Sequence, residues 1–353
     1  MPQKLKINFC SFRKRSKWSD IYGGEVPGVD EIHARFIDGI DVWIIQSYLI
    51  FKTAKLPFEI RFSDEIMTDA VNVVHRDEIH LKRDPHRGFI LGIRADRPPL
   101  YMADLTVCQN RTFAAKTNGL YLPQWPQPGL IARNPKRKDK LENIAFFGRQ
   151  VNLDGRISGS DFQTVLNRRG LHLVQDERRW HDYREVDASV ALRRIPQIEV
   201  CTKPASKLTN AWLAGVPAVV GDEPAYAELR KHPYDYLAVA SPQEILGALE
   251  RLRQKGEYNK FREHARWRAQ EFTREKTLQK WLALLEKSVV PAFLSARGPA
   301  GQRKVQMLLR AVLQHAATKI WKRRWRQQQA MIDSSVERPI SALRCISKSL
   351  RRK

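Results

Sequence analysis

Short apolar runs alternate with helix-like stretches along this chain, and the alternation occurs twice. In the first part the apolar runs are rich in Ile, Val and Phe and lie at 5–10, 41–46, 58–63, 71–75, 89–95 and 105–110. Continuous apolar runs of this length that end in polar residues are typical of strands buried in a helix-covered parallel sheet. This part therefore predicts an α/β sheet domain, although the run at 41–46 also fits the start of a helix.

The same alternation restarts after residue 140. Strand-like runs lie at 143–148, 171–174, 188–193, 218–221 and 236–240. Helix-like stretches lie at 161–169, 178–186, 242–255 and 257–290. Alternating strands and helices favour a second parallel sheet with helices on both faces.

A proline-rich stretch separates the two parts. Residues 120–140, "LYLPQWPQPGLIARNPKRKDK", carry four prolines and then a basic run, a composition typical of linkers. We therefore expect a first domain over 1–130, a linker over 131–140, a second domain over 141–290 and an extension over 291–353. Two such sheet domains leave a cleft between them.

The charge and the cysteines narrow the setting. A net charge of +24 favours polyanionic partners: nucleic acid, an anionic membrane surface or phosphorylated substrates. The four cysteines form no CxxC pair, as expected of free thiols in a reducing compartment. The N-terminus lacks the apolar core of a signal peptide, and no uncharged apolar run approaches the roughly 18 residues of a membrane span. These features predict a cytoplasmic protein whose membrane contact, if any, is peripheral.

The segment "CTKPASKLTNAWLAGVPAVVG", 201–221, carries the first chemical signal. Thr202 is predicted to cap a helix that has Pro204 in its first turn. This helix is predicted to end at Gly215, before the strand 218–221. Lys203 and Lys207 flank the start of that helix. A helix N-terminus already favours anions, so two added ammonium groups predict a diphosphate site. The alternative is that both lysines are ordinary solvated charges.

This segment resembles the donor site of GT-B glycosyltransferases, and "KL", "NA", "AG" and "VP" within it also resemble the fucosyltransferase-like branch. The resemblance covers roughly 141–240. It implies two Rossmann-like domains facing across a cleft, with a nucleotide-sugar diphosphate bound at the helix start. It also implies a phosphate contact from Arg149, in "IAFFGRQ", and a ribose contact from Asn210, where retaining members carry Glu.

Two further residues are candidates for the donor side. Arg193 ends a predicted strand and is able to border the base or the phosphates, and Glu223 is able to bind a sugar or ribose hydroxyl. Both also fit ordinary turns.

The resemblance places the catalytic base on loops of the first domain. Inverting sugar transfer needs a carboxylate or His that takes the acceptor proton. The candidates, in order of preference, are Glu25 or Asp30, then His75, then Asp96. The residues alone do not choose among them.

Several cofactor signatures are missing from the sequence. No two Asp residues lie two apart, and no HExxH, GxxxxGK[ST] or GxGxxG motif occurs. We therefore expect no metal and no cofactor, with the nucleotide-sugar as a co-substrate. Lysines, Arg149 and the helix dipole would then stabilise the leaving group.

The extension is the most basic part of the chain. From Arg297 to Lys353 it holds 15 Lys and Arg against 2 acidic residues. Its apolar positions have helical spacing and are Val305, Leu308, Leu309, Val312, Leu313, Ala316, Ile320 and Trp321. With Trp325 and the surrounding cations, this pattern predicts an interfacial helix on anionic lipid. Packing on the protein itself, or nucleic-acid binding, are the alternatives.

Together these features predict a glycosyltransferase, hexosyl or deoxyhexosyl, that uses a nucleotide diphosphate-sugar and a glycan or glycolipid acceptor in surface polysaccharide assembly. We expect it at the inner face of the cell membrane and expect no nucleic-acid partner. The alternatives are a basic nucleic-acid-binding protein, or an epimerase or phosphorylase of the same fold.

Overall fold

The computed structural model describes residues 4–296 and 300–349, with side chains for 4–296 and 301–334. Within them lie two separate parallel sheets, several covering helices and one long C-terminal helix.

The first sheet has six strands in the order β2-β1-β3-β4-β5-β6, and all neighbours are parallel. Its strands are β1 Lys6–Cys10, β2 Glu59–Ser63, β3 Ala70–His75, β4 Phe89–Ile93, β5 Leu105–Cys108 and β6 Leu120–Tyr121. Strands β3 and β4 are buried along their whole length, which explains their continuous apolar sequences.

The second sheet has five strands in the order β11-β10-β9-β7-β8, again all parallel. Its strands are β7 Asn143–Phe146, β8 His172–Gln175, β9 Ala188–Ala191, β10 Ala218–Gly221 and β11 Leu237–Val239. The predicted class, two parallel α/β sheets followed by a basic helical extension, is confirmed.

The helices connect and cover these strands. They are α1 Ser19–Tyr22, α2 Gln46–Thr53, α3 Arg111–Lys116, α4 Gly155–Ser158, α5 Ser160–Arg168, α6 Gln197–Val200, α7 Ser206–Ala214, α8 Pro224–Ala227, α9 Pro242–Arg253, α10 Glu257–Ala269, α11 Arg274–Leu284, α12 Val290–Ser295 and α13 Ala300–Ser349.

The structure settles one assignment that the sequence left open, and it contradicts another. The run 41–46 is helical, with a π-helical turn over Asp41–Ile45 that continues into α2. Its residues are apolar because this helix is itself buried in the first core, where Trp43 is 1% exposed. The stretch 178–186 forms turns instead of a helix, and Asp182 caps them by accepting from Arg179 and Arg184.

After the second sheet the chain returns to the first core. Trp281 of α11 is fully buried and packs on Phe9, Phe51 and Trp125. The end of the helical region over 257–290 therefore packs with the first sheet, and it ties the two sheets together.

The proline-rich segment packs on the second sheet. Arg133 is buried, and its guanidinium donates to Asp187 at 2.7 Å. Asp187 also accepts from Arg137 at 2.7 Å and from the backbone N–H groups of Glu142 and Asn143 at 2.9 Å. Burial acts to raise the pKa of Asp187, but the Arg137 hydrogen bond and these N–H groups hold the pKa below its ordinary value.

Asp187→Ala is expected to lower the free energy of unfolding by about 3–5 kcal/mol, because it leaves Arg133 buried without its counter-ion. Urea denaturation measures the loss, and Asp139→Ala, on an exposed acid of the same segment, is the control. The folded pKa is depressed, so the stabilisation by Asp187 is present above its unfolded pKa and is lost as the pH falls. The difference between wild type and variant should therefore shrink in acid; a constant difference would contradict this origin.

The long helix α13 fastens to both domains by one face. On the first domain, Met307 is buried in an apolar cluster, and Gln314 accepts from the backbone N–H groups of Tyr101 and Met102 at 2.9 and 3.1 Å. On the second domain, the Trp325 indole donates to Glu199 at 2.6 Å.

The opposite face of α13 is apolar and points to solvent. Its residues are between 47% and 67% exposed and comprise Val305, Leu308, Leu309, Val312, Leu313 and Ile320. We call these six residues the outer stripe. Of the residues that the periodicity singled out, the outer stripe thus points away from the protein, whereas the indole N–H of Trp321 is buried against it. Among the residues described, no helix combines the length and apolarity that crossing a membrane requires.

Candidate active site

A cleft of about 690 Å³ lies between the two sheets, and α13 closes one side of it. The first domain contributes acidic side chains, the second contributes cations, and α13 contributes aromatic and polar groups. The lining residues include Asp38, Asp77, Asp96, Arg149, Arg193, Lys203, Lys207, Trp321 and Trp325.

Helix α7 carries the predicted anion site, but it starts later than predicted. It begins at Ser206, with Ala205 before it and no side-chain cap. Thr202 instead donates its hydroxyl to the Glu199 carbonyl at 2.8 Å, in the turn before the helix. The helix ends, as predicted, at Gly215, whose φ of +70° is the left-handed conformation that favours glycine.

Lys207, in the first turn of α7, projects back toward the end of β7. Its ammonium donates to the Phe147 carbonyl and lies 4.5 Å from the centre of the Phe146 ring. A side chain at Gly148 would meet this ammonium, so the lysine would have to shift to make room for it. No carboxylate forms an ion pair with Lys207 among the described side chains. Burial and the nearby Arg193 lower the pKa of Lys207.

Lys203 links the two domains. Its ammonium lies 2.7 Å from Asp96, which follows β4, and 2.6 Å from Glu199. Burial acts to raise the pKa of Asp96, but the charge and the hydrogen bond of Lys203, together with the charge of Arg97, hold the pKa below its ordinary value. Asp96 is therefore ionised at neutral pH and faces the cleft from the first domain.

Arg193 and Glu223 form a buried pair beside Lys207. Their side chains are each 5% exposed and lie 2.6 Å apart. Burial raises the pKa of Glu223, and its second oxygen has no hydrogen-bond partner among the described residues. Arg193 reaches the cleft wall, and Glu223 lies behind it.

The other two predicted donor residues also line the cleft. Arg149 is exposed and follows the end of β7, close in sequence to Gly148. Asn210 lies one turn beyond Lys207, and its side-chain oxygen accepts from the Gln127 backbone N–H at 3.3 Å. The structure thus brings Arg149, Arg193, Lys203 and Lys207 around one cavity.

The residues predicted as the catalytic base do not gather around the cleft as the donor-side cations do. Glu25 and Asp30 are exposed and do not line the cleft. Asp30 accepts from Arg274 at 2.7 Å and from the Gly129 N–H at 2.8 Å, so it fastens its own loop to α11.

His75 is buried beneath the cleft wall instead of lining it. Burial lowers its pKa to about 4, so it is neutral at pH 7. Its Nδ1 accepts from the Asp77 N–H at 3.3 Å, and its Nε2 has no described partner. Of the four candidates, only Asp96 presents a carboxylate to the cavity.

Four polar atoms in the cleft wall were not predicted from the sequence. The indole N–H groups of Trp180 and Trp321 and the side-chain oxygens of Gln46 and Gln124 are buried and have no partner among the described residues. Nothing in their local sequence marks them, because they come from four distant segments. Two donors and two acceptors without partners suit a ligand rich in hydroxyl or amide groups.

The described residues hold no group of three or more His, Cys, Asp or Glu side chains arranged for a metal ion.

No family model and no curated protein matches the chain. It is similar to the solved structure of AviGT4, a glycosyltransferase involved in avilamycin A biosynthesis, with 14% identity and a TM-score of 0.47 over 80% of this chain and 99% of that one. It is similar to HepE of Anabaena in complex with UDP and glucose, with 11% identity and a TM-score of 0.49 over 80% and 100%.

A third similar structure contains accessory secretory proteins 1, 2 and 3 of Streptococcus pneumoniae, with 14% identity and a TM-score of 0.42 over 64% of this chain and 54% of that one. The chain spans about half the length of that structure. The GT-B-like arrangement expected from the sequence, two parallel sheets facing a common cleft, agrees with the topology and the cavity described above. The fucosyltransferase-like detail stays a prediction.

Proposed function

We propose that this protein is a glycosyltransferase that transfers a hexosyl or deoxyhexosyl group from a nucleotide diphosphate-sugar to a glycan or lipid-linked acceptor in surface polysaccharide assembly. The observation that carries the proposal is that the ammonium of Lys207 is partly buried and forms no ion pair among the described side chains. Its half-buried ammonium, at the start of α7, has a neutral carbonyl as its hydrogen-bond partner and no ion pair among the described residues. A desolvated cation without a counter-ion is costly, and a bound anion relieves that cost.

The neighbouring groups favour a diphosphate over a single charge. Arg149 and Arg193 line the same wall, and an arginine fork is able to hold two phosphate oxygens. The free N–H groups of α7 add to the positive potential. We assign Lys207, Lys203, Arg149 and Arg193 to the diphosphate and Asn210 to the ribose or sugar hydroxyls, while Glu223 lies behind Arg193 and holds its guanidinium in place.

The acceptor would enter from the first-domain side. Asp96 is the candidate base, because its ionised carboxylate lines the cleft, where it pairs with Lys203. Asp38 is less suitable, since one oxygen caps the N–H groups of Ile40 and Asp41 at 3.0 and 3.1 Å and the other pairs with Lys14. The leaving diphosphate would be stabilised by the cations without a metal ion.

A thermal-shift screen against UDP-, GDP-, dTDP- and CMP-sugars tests the donor assignment, since a ligand that binds the folded state raises the melting temperature. At least one should stabilise the protein, and it should do so, and support turnover, in the presence of EDTA. Stabilisation or turnover that vanishes with EDTA and returns with Mn²⁺ or Mg²⁺ would contradict the metal-independent chemistry. No shift with any nucleotide would contradict the donor site.

We also propose that α13 holds the protein on an anionic membrane surface. The outer stripe is apolar and exposed, and Lys304, Lys319, Arg323 and Arg326 of the same helix are exposed as well. Apolar burial into the interface and cation contacts to head groups add together. The helix would thus bind the protein by one face and lipid by the other.

Leu309→Glu with Val312→Glu is expected to reduce the binding of the full-length chain to anionic vesicles at least about tenfold, because both side chains lose their apolar burial and gain charge. Co-sedimentation measures binding, which should also fall as salt rises. The control, Gln302→Glu with Gln306→Glu, changes the net charge equally at exposed positions of the same helix outside the stripe. Equal losses in both variants would mean that charge alone holds the chain to the vesicles, and would remove the role of the outer stripe.

A further inference from the structure

A second cavity, of about 450 Å³, lies between α13 and the first domain, next to the cleft. We call it the α13 groove. Its walls are mainly apolar and include Leu100, Phe113, Ile198, Ala317, Ile320 and Trp321. Ile320 belongs to the outer stripe and is 55% exposed, so the groove extends toward the face that we assign to the membrane.

Arg94 supplies a buried charge to this groove. It is 5% exposed, its Nε donates to the Arg97 carbonyl at 3.1 Å, and its guanidinium stacks 4.2 Å from the Phe113 ring centre. No carboxylate pairs with it in the part of the chain with described side chains. Buried arginines ordinarily have such a partner, because desolvating an unpaired charge is costly. Burial lowers the pKa of Arg94 to about 10, which leaves it charged at neutral pH.

Two further cations border the groove. Lys116 of α3 and Arg324 of α13 are both exposed and line it. The groove therefore combines apolar walls, one desolvated guanidinium and a basic border. A free phosphate would satisfy the cations but leave the apolar walls in water, whereas an uncharged lipid would leave Arg94 without a counter-ion. An anion attached to an alkyl chain suits both.

Trp321 joins the groove to the cleft. Its side chain lines both cavities, and its indole N–H is buried without a described hydrogen-bond partner. A ligand whose polar end lies in the cleft and whose apolar chain lies in the groove would pass along this indole, which is placed to donate to an oxygen at the junction.

We propose that the α13 groove binds the phosphate and the first part of the alkyl chain of a lipid-phosphate-linked acceptor, with Arg94 as the phosphate ligand and Trp321 at the junction with the sugar. The assignment of this ligand as the acceptor rests on the proposed glycosyl transfer. The binding of an alkyl phosphate by the groove does not.

The test uses the full chain and dodecyl phosphate below its micelle concentration, with binding measured by calorimetry. Dodecyl phosphate should bind, while inorganic phosphate and dodecyl maltoside should bind at least about tenfold more weakly. Arg94→Met should weaken dodecyl phosphate binding at least about tenfold. Arg168→Met, which removes an exposed arginine of the second domain, should leave it unchanged.

A second variant keeps the test informative if Arg94→Met fails to fold. Ala317→Trp fills the groove from α13 without removing a charge, and it should also abolish binding while the melting temperature stays near that of wild type. If wild type does not bind dodecyl phosphate, or if both variants bind it as wild type does, the proposal is overturned. Inorganic phosphate that binds as tightly, and competes, would make the site an ion site only and would also overturn it.

The two proposals fail separately. Arg94→Met should keep the nucleotide affinity found in the thermal-shift screen. Dodecyl phosphate binding without any nucleotide binding would refute glycosyl transfer and leave the groove intact. Nucleotide binding without dodecyl phosphate binding would refute the groove proposal and leave the glycosyl-transfer proposal standing.

Discussion

Replacing Lys207 by methionine is expected to weaken nucleoside diphosphate binding by about 1–3 kcal/mol, roughly fivefold to more than a hundredfold, because a charge-assisted phosphate contact is lost. Methionine keeps a flexible side chain over the Phe146 ring, so packing should change little. The unliganded protein should melt at the same temperature or higher, because the variant removes a partly buried cation that forms no ion pair among the described side chains. Calorimetry with the nucleotide from the screen measures the affinity.

The pH dependence gives an independent check. The pKa of Lys207 is depressed in the unliganded protein, and a diphosphate binds its protonated form. Affinity should therefore fall as the pH rises through that depressed pKa, and Lys207→Met should lose this dependence. Lys255→Met, at an exposed lysine after α9, should behave as wild type. Unchanged affinity in a folded Lys207→Met protein would refute the diphosphate assignment, as would a wild-type pH profile in it.

Asp96→Asn should lower kcat by about 10²- to 10⁴-fold, the range that general-base catalysis supplies. Nucleotide affinity should change little, since the amide still occupies the same space beside Lys203. A purely structural link between Asp96 and Lys203 would instead alter stability and affinity while leaving kcat near that of wild type. Steady-state rates with the donor from the screen and a sugar acceptor distinguish these outcomes.

The acid side of the pH profile should report the same group. Lys203 holds the pKa of Asp96 below its ordinary value, so kcat/KM should stay level at neutral pH and fall only as the pH drops through that lowered pKa. Asp96→Asn should lose this fall. Glu25→Gln is the matched control, because Glu25 is exposed and does not line the cleft. If Glu25→Gln abolishes turnover and Asp96→Asn does not, the acid preferred from the sequence is the base.

Local patterns sufficed for most of the architecture. Strands such as β3, β4, β9 and β10 are buried on both faces, so their apolar character appears directly in consecutive residues. The end of α7 was equally local, because Gly215 is needed for a left-handed φ wherever the rest of the chain lies. These features depend on residues that are neighbours in the chain, so they can be predicted from the sequence alone.

The same logic explains the local failures. The run at 41–46 is buried as completely as a strand, and burial on all sides removes the periodicity that separates a helix from a strand. Helix α7 begins at Ser206 and is not capped by Thr202, because the Thr202 hydroxyl donates to the Glu199 carbonyl in the preceding turn.

The composition of the cleft was decided by tertiary structure. Asp96 and Lys203 are 107 residues apart in the chain and 2.7 Å apart in space, and no spacing rule connects them. Asp30 lies in a glycine-containing loop of the kind that often forms a site. In the structure, however, α11 brings Arg274 to Asp30, and the ion pair between them holds the loop against α11. Helix α13 showed an amphipathic stripe, but which face meets the protein depended on Gln314 and Met307 finding partners on the first domain. The sequence by itself determined most of the strands, their order along the chain and the pair of lysines near the start of α7, because those follow from neighbouring residues. Only the tertiary structure decided which distant side chains share the cavity, because that depends on how the two sheets and α13 pack.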